Sequence, residues 1–174
     1  MEGPVAGIVL GSVSDLDLGV KAKEVFETLG IPYEITVASA HRTPDDVVNY
    51  ARNAKARGIK VIVAVAGLSA ALPGVIAAHT TIPVIGVPAP AGTLGGIDAL
   101  LSIAQMPPGV PVGTMGIGAA RNAALFAARI ISLFDDKVHE KVWEDVASAR
   151  LKVTESRKEI SDLPLAPSSA FREL

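Results

Sequence analysis

Short β-branched apolar runs alternate with helical patterns along almost the whole chain, and that alternation leaves few folds open. Val5 to Leu10, Tyr33 to Ala38, Lys60 to Ala66, Pro83 to Val87 and Val112 to Ile117 read as strands. Lys60 to Ala66 is apolar enough for burial on both faces, as parallel sheets require. A helix is predicted from Asp15 to Leu29, with Leu18, Ala22, Val25, Phe26 and Leu29 on one face and Gly30 as its stop. The next begins at Thr43-Pro44-Asp45-Asp46, where Thr43 is the expected cap, Pro44 suits the first turn and the two Asp favour the positive end of the dipole. It runs to about Arg57, and Gly58 ends it. Further helices are predicted over Ser69 to Thr80, Gly95 to Gln105, Ala119 to Phe134 and Lys137 to about Lys158. The Ala119 to Phe134 pattern is apolar nearly all round, which predicts burial on several sides.

Five strand-then-helix units imply a parallel sheet with helices on both faces, and right-handed crossovers then give a flavodoxin-like, three-layer α/β/α sandwich with a five-stranded parallel sheet. Residues 1–161 form the expected single α/β domain, C-terminal helix included. The tail 162–174, with Pro164, Pro167, Ser168 and Ser169, is expected to be loosely ordered. The apolar mass is Ala, Val, Ile and Leu: hydrophobic residues are 49%, aromatics only 4%, and mean hydropathy is +0.41. A small monomer would struggle to hide that much, so large interfaces between copies of the chain are expected. The longest apolar stretch, Val61 to Ala78, is broken by Gly67, Ser69, Pro73 and Gly74, which fits strand, turn and helix rather than a membrane span. With no cysteine, disulfides, thiolate nucleophiles and Cys-ligated metal sites are excluded. A formal charge of −2 without long runs of one sign points away from nucleic acid and membrane surfaces. Met1 to Gly11 has no basic segment and too short an apolar run for a signal peptide, so a cytoplasmic protein is expected.

In doubly wound folds ligands bind beyond the carboxyl ends of the strands, which directs attention to the connecting loops. After the first strand, Gly11-Ser12-Val13-Ser14-Asp15 offers a tight turn, two hydroxyls and free helix N–H groups for an anion such as phosphate, and Asp15 could accept hydrogen bonds from ribose hydroxyls. Capping of the helix by Ser14 or Asp15 is the plainer alternative. Neither a Walker loop nor a dinucleotide fingerprint is present. After the second strand comes Ser39-Ala40-His41-Arg42-Thr43-Pro44. An arginine binds phosphate or carboxylate through two parallel hydrogen bonds, and an imidazole both gives and takes protons near neutral pH. The third loop, Ala66-Gly67-Leu68-Ser69-Ala70-Ala71-Leu72-Pro73-Gly74, has small residues that let the backbone approach a ligand; tight helix–strand packing would explain them equally. The fourth, Pro88 to Gly96, is rich in Gly and Pro and could be a lid, a rim wall or an exposed connector. His79 and His139 read as surface residues, and no His/Asp/Glu cluster has metal-ligand spacing.

Several segments together point to one family. They are Gly11 to Asp15, Ser39-Ala40-His41-Arg42-Thr43-Pro44-Asp45, Ala71-Leu72-Pro73-Gly74, Pro83 to Pro88, Asp98 to Val112 with its Ser102-Ile103-Ala104-Gln105-Met106-Pro107 core, and Asn122 to Leu125. Across about residues 5 to 135 the chain resembles the PurE family. That resemblance implies a homo-octamer acting on an aminoimidazole ribonucleotide, with no metal, nucleotide or biotin cofactor. It implies that His41 is catalytic and that Ser12, Asp15 and Arg42 bind substrate, with Ser14 and Ser39 joining Arg42 at the phosphate; Gly67, Ser69, Ala71 and Leu72 complete the expected pocket. The family contains a mutase, which moves a carboxyl group from the exocyclic nitrogen to ring carbon four, and an enzyme that carboxylates the ring directly with carbon dioxide. Arg42, Gly86-Val87-Pro88 and Gln105-Met106-Pro107 resemble the mutase, so conversion of N5-carboxyaminoimidazole ribonucleotide to 4-carboxy-5-aminoimidazole ribonucleotide in purine biosynthesis is the expected activity. The mutase pattern Gly-Gly-Ala-Ala-His-Leu-Pro-Gly has its histidine where this chain has Ala71, and Leu68-Ser69 depart from its Gly-rich opening. Direct carboxylation and non-catalytic nucleotide binding remain the alternatives.

Overall fold

The strand β3, Val61–Ala66, is buried along its whole length and lies at the centre of the sheet. The computed structural model describes residues 3–171; Met1, Glu2 and 172–174, the outermost positions of the expected domain and tail, lie outside the described residues. β3 is flanked by β1 (Ala6–Leu10) and β4 (Val84–Pro88), and β2 (Tyr33–Val37) and β5 (Gly113–Thr114) form the edges, giving the order β2-β1-β3-β4-β5 with every neighbour parallel. This is the flavodoxin-like order, and its direction reverses between β1 and β3.

Strand side chains alternate between two cores. Ile8, Leu10, Val63, Val65, Ile85 and Val87 face the helices α1 (Leu16–Leu29) and α5 (Ala120–Ile131). Val9, Ile62, Ala64 and Ala66 face α2 (Pro44–Ala54), α3 (Leu72–Ala78) and α4 (Ile97–Ala104). Each fully buried Val, Ile or Leu contributes about 1.5–3 kcal/mol, so both layers are held chiefly by this aliphatic burial. α1 buries the predicted face and ends at left-handed Gly30, whose N–H returns to the carbonyls of Phe26 and Glu27.

Four expectations change. The last strand shrinks from Val112–Ile117 to Gly113–Thr114, because beyond Thr114 only single backbone bonds tie the chain to β4, Met115 N–H to Gly86 and Gly118 N–H to Pro88. The third helix begins at Leu72 rather than Ser69, for a reason found in the site below. Thr43 occupies the N-cap of α2, but its hydroxyl is engaged by Ser39 and caps nothing. α5 covers one face only: Ala120, Ala123, Ala124, Ala127, Ala128 and Ile131 are buried, while Arg121 and Arg129 face outward and Phe126 is 43% exposed.

The final helix α6, Asp136–Ser156, is capped by Asp135, whose carboxylate accepts the N–H groups of Lys137 and Val138. Val138 is its one buried residue among those described, and an Arg121–Asp145 ion pair of 3.3 Å ties it to α5. Leu151 and Val153 in its last turns lie exposed, and Trp143 is 56% exposed. Among the described residues no helix is long and apolar enough to cross a membrane.

Candidate functional site

At the carboxyl ends of β1, β2 and β3 a cleft of about 650 Å³ opens at the point where the strand order reverses. All ten residues singled out from the sequence line it: Ser12, Ser14 and Asp15 after β1; Ser39, His41 and Arg42 after β2; Gly67, Ser69, Ala71 and Leu72 after β3.

The first loop is a closed hydrogen-bond box. Ser12 Oγ accepts the Ser14 N–H at 3.3 Å, and Asp15 Oδ2 accepts the Ser12 N–H at 3.1 Å, so a 3-10 turn, Val13–Asp15, leads into α1. The cap is therefore Ser12, with Asp15 returning the bond, rather than Ser14. Asp15 is 8% exposed, and burial pushes its carboxyl above the ordinary range while the Ser12 N–H pulls the other way. A buried, partly desolvated carboxylate beside two hydroxyls is well placed to accept hydrogen bonds from a sugar.

The second loop is tied to itself around Ser39. Its N–H donates to Thr43 Oγ1 at 3.0 Å, its carbonyl accepts the Thr43 N–H at 2.8 Å, and its Oγ accepts the Arg42 N–H at 3.2 Å and Arg42 Nε at 3.5 Å. That knot presents His41 and Arg42, both exposed, to the cleft. Among the described residues Arg42 forms no ion pair: the three present join Lys23 to Glu27, Arg57 to Glu34 and Arg121 to Asp145. Its guanidinium charge is free for an anionic ligand.

The third loop is held differently. Gly67 lies so close to the fourth loop that a Cβ there would be 3.2 Å from the Ala91 Cβ and 3.4 Å from the Ala89 Cβ. Leu68 has a φ of 56°, making it the only non-glycine with positive φ among the described residues, a conformation that costs an L-residue about 1–2 kcal/mol. Two tight turns follow, Ala70 N–H to Leu68 and Ala71 N–H to Ser69, and they delay the helix to Leu72. Within α3, behind this loop, Gly74 lies so close to Met106 that a Cβ on it would be 2.9 Å from the Met106 methyl.

Six further residues line it that were named only as parts of their loops and not as site residues: Gly11, Ala40, Ala66, Leu68, Ala70 and Ala91. Ala91 belongs to the fourth loop, whose Ala89 N–H bonds to Ala66 and whose close fit to Gly67 makes it a wall of the cleft. The small residues facing one another in loops three and four were the available signal. Among the described residues no group of three or more His, Cys, Asp or Glu is arranged to hold a metal.

A doubly wound parallel sheet with an open, hydroxyl-, imidazole- and guanidinium-lined cleft at its switch point defines a small-molecule-binding α/β protein. Residues 5–152 match the AIR carboxylase family, and the chain belongs to it. It is 47% identical over 162 residues to the N5-carboxyaminoimidazole ribonucleotide mutase of Pyrococcus horikoshii, covering 93% of this chain and 92% of that one. It is 49% identical over 159 residues to the enzyme of the same name from Bacillus subtilis, covering 90% and 98%. Among solved structures it resembles Treponema denticola PurE with a TM-score of 0.83 and 31% identity, over 91% of this chain and 99% of that one.

Proposed function

We propose that this chain is an N5-carboxyaminoimidazole ribonucleotide mutase of purine biosynthesis. The observation that carries the reading is the convergence of an imidazole and an unpaired guanidinium with the serine-rich first turn around one cleft of about 650 Å³. Relatives bearing that enzyme's name match this chain over nine-tenths of its length.

In this reading Arg42, with Ser12, Ser14 and Ser39, binds the phosphate, and the Asp15 carboxylate holds ribose hydroxyls. The carbamate N–C bond breaks, releasing carbon dioxide inside the cleft, as His41 gives a proton to the exocyclic nitrogen. Ring carbon four then attacks the carbon dioxide, and His41 takes back the ring proton. The net change is an isomerisation: one N–C bond is exchanged for one C–C bond and one proton changes place. Positioned acid–base catalysis is worth roughly a hundredfold to ten-thousandfold, and holding carbon dioxide beside the attacking carbon adds proximity. Gly67, Ser69, Ala71 and Leu72 shape the pocket that receives the base. Because Ala71 stands where the mutase pattern has histidine, His41 is the single imidazole this scheme uses. The scheme asks for no metal, nucleotide or biotin.

The reading extends to assembly and location. Phe126 on α5, Trp143 on α6 and Ile35 and Val37 on the edge strand β2 expose apolar surface that a homo-octamer would cover. The site's chemistry fits a cytoplasmic enzyme acting on a small ribonucleotide.

The test is turnover with N5-carboxyaminoimidazole ribonucleotide, and separately with aminoimidazole ribonucleotide, each with and without labelled bicarbonate. The mutase converts the first without added bicarbonate and leaves its product largely unlabelled. Conversion of the second alone, dependent on bicarbonate, contradicts it in favour of direct carboxylation. Binding of both without turnover reduces the chain to a nucleotide-binding domain.

A further inference from the structure

Leu68 combines three properties that rarely occur together. Its backbone is left-handed, with φ of 56°, a region bulky side chains avoid. Its side chain lines the mouth of the cleft and is still 55% exposed. It also reaches across to the fourth loop, where a Cβ on Gly92 would lie 2.7 Å from Leu68 Cδ2. Gly92 is itself left-handed, at φ 68°, and opens a turn in which its carbonyl accepts the Gly95 N–H at 3.3 Å. Burial does not explain the strained leucine, and a glycine would adopt the same backbone without strain. What the leucine adds is a side chain projected from the third loop onto the one position of the fourth where a Cβ would collide with it.

We infer that Leu68 is a positioning residue that latches the fourth loop, Pro88 to Gly96, across the cleft mouth and so keeps the migrating carbon dioxide from escaping to solvent. The fourth loop is fixed at its start by the Gly118 N–H to Pro88 and Ala89 N–H to Ala66 bonds and at its end by the Leu100 N–H to Gly96 bond. Between those points Gly92, Thr93, Leu94 and Gly95 are exposed, so the Leu68 contact falls on the least covered stretch of the loop. A small apolar molecule freed beneath Ala91 and Leu68 meets apolar side chains on that wall of the cleft. Its retention therefore depends on how often that mouth opens. The inference rests on the mutase reading, since only a freed carboxyl group needs retaining.

The experiment compares the full chain with Leu68→Gly, Leu68→Ala and Leu68→Met during conversion of N5-carboxyaminoimidazole ribonucleotide in excess labelled bicarbonate. Leu68→Gly relieves the backbone strain while deleting the latch, so a label that enters its product reports the missing side chain and not a distorted loop. The latch predicts a several-fold rise in labelled product for Leu68→Gly and Leu68→Ala, and near-parental exclusion of label for Leu68→Met, which still reaches Gly92. Leu68→Gly product as free of label as the parent's would overturn it. Amide hydrogen exchange reads the contact without turnover: faster exchange at Gly95 and its neighbours in Leu68→Gly supports the latch, and unchanged exchange contradicts it. If the unaltered chain does not convert the carbamate at all, the mutase reading and the retention role fall together, and the exchange measurement alone decides the contact.

Discussion

On one side of the cleft, Ser12, Asp15, Ser39 and Thr43 fix the backbone with their own side chains; on the other, Gly67 to Ala71 has no side-chain hydrogen bond among the described residues and is shaped by close approach to Ala89 and Ala91. The polar side offers charge and hydroxyls, and its geometry survives loss of a ligand because the bonds are internal. The apolar side offers shape, and its geometry depends on the absence of atoms, at Gly67 above all. The two constructions suit different tasks. In the proposed reaction the hydrogen-bonded turns would hold a phosphate and a sugar in register, and the close-packed wall of small residues would exclude water from the reacting carbon.

Substitutions separate the two sides, and the largest effect is expected at His41. His41→Asn should lower kcat by roughly a hundredfold to ten-thousandfold with little change in melting temperature, because the ring is exposed and bonded to nothing else among the described residues. Next is Arg42→Ala, which should raise KM by roughly tenfold to a hundredfold, the loss of a charge-assisted contact worth about 1.5–3 kcal/mol. Arg42→Lys should recover part of that loss, since it keeps the charge without the planar fork. Steady-state kinetics on both variants reads this split. On the apolar side, Gly67→Val should destabilise by about 1–3 kcal/mol, measured by denaturant unfolding, because added methyls would drive into Ala89 and Ala91.

The smallest effect is expected at Asp15, and it has opposite signs in stability and function. Burial raises this carboxyl's titration in the folded chain above its unfolded value, so the charged form opposes folding at neutral pH. Asp15→Asn should therefore raise the melting temperature by about 1–3 °C at pH 7 while weakening substrate binding. The stability advantage should shrink as pH falls through the folded titration of Asp15, where the parent's carboxyl becomes neutral too. A series of melting curves from neutral to acid pH checks the sign.

The polar side was largely legible in the sequence, and the apolar side was not. Ser12, Asp15, His41 and Arg42 carry chemistry in their residue types, and strand-end placement follows from the apolar runs that precede them, so all line the cleft as expected. The start of α3 was misjudged because Ser69-Ala70-Ala71 is compatible with helix locally; the left-handed turn at Leu68, which prevents it, comes from contacts with a loop twenty-odd residues away. The choice between rim wall and exposed connector for the loop carrying Ala91 stays open in the sequence for the same reason, since nothing local distinguishes the two. Thr43 bears every mark of a helix cap, yet the nearby Ser39 backbone competes for its hydroxyl and wins. The weak edge strand at Gly113–Thr114 shows that an apolar run does not guarantee a full ladder where only one neighbour is available to pair.

The most direct test of the account is a crystal structure with the 4-carboxy-5-aminoimidazole ribonucleotide product bound. The account predicts its phosphate on the Arg42 guanidinium and the Ser12–Ser14 turn, with the imidazole of His41 within hydrogen-bonding reach of the base and its new carboxyl group. A nucleotide seated elsewhere, or a His41 ring turned away from the base, would contradict it.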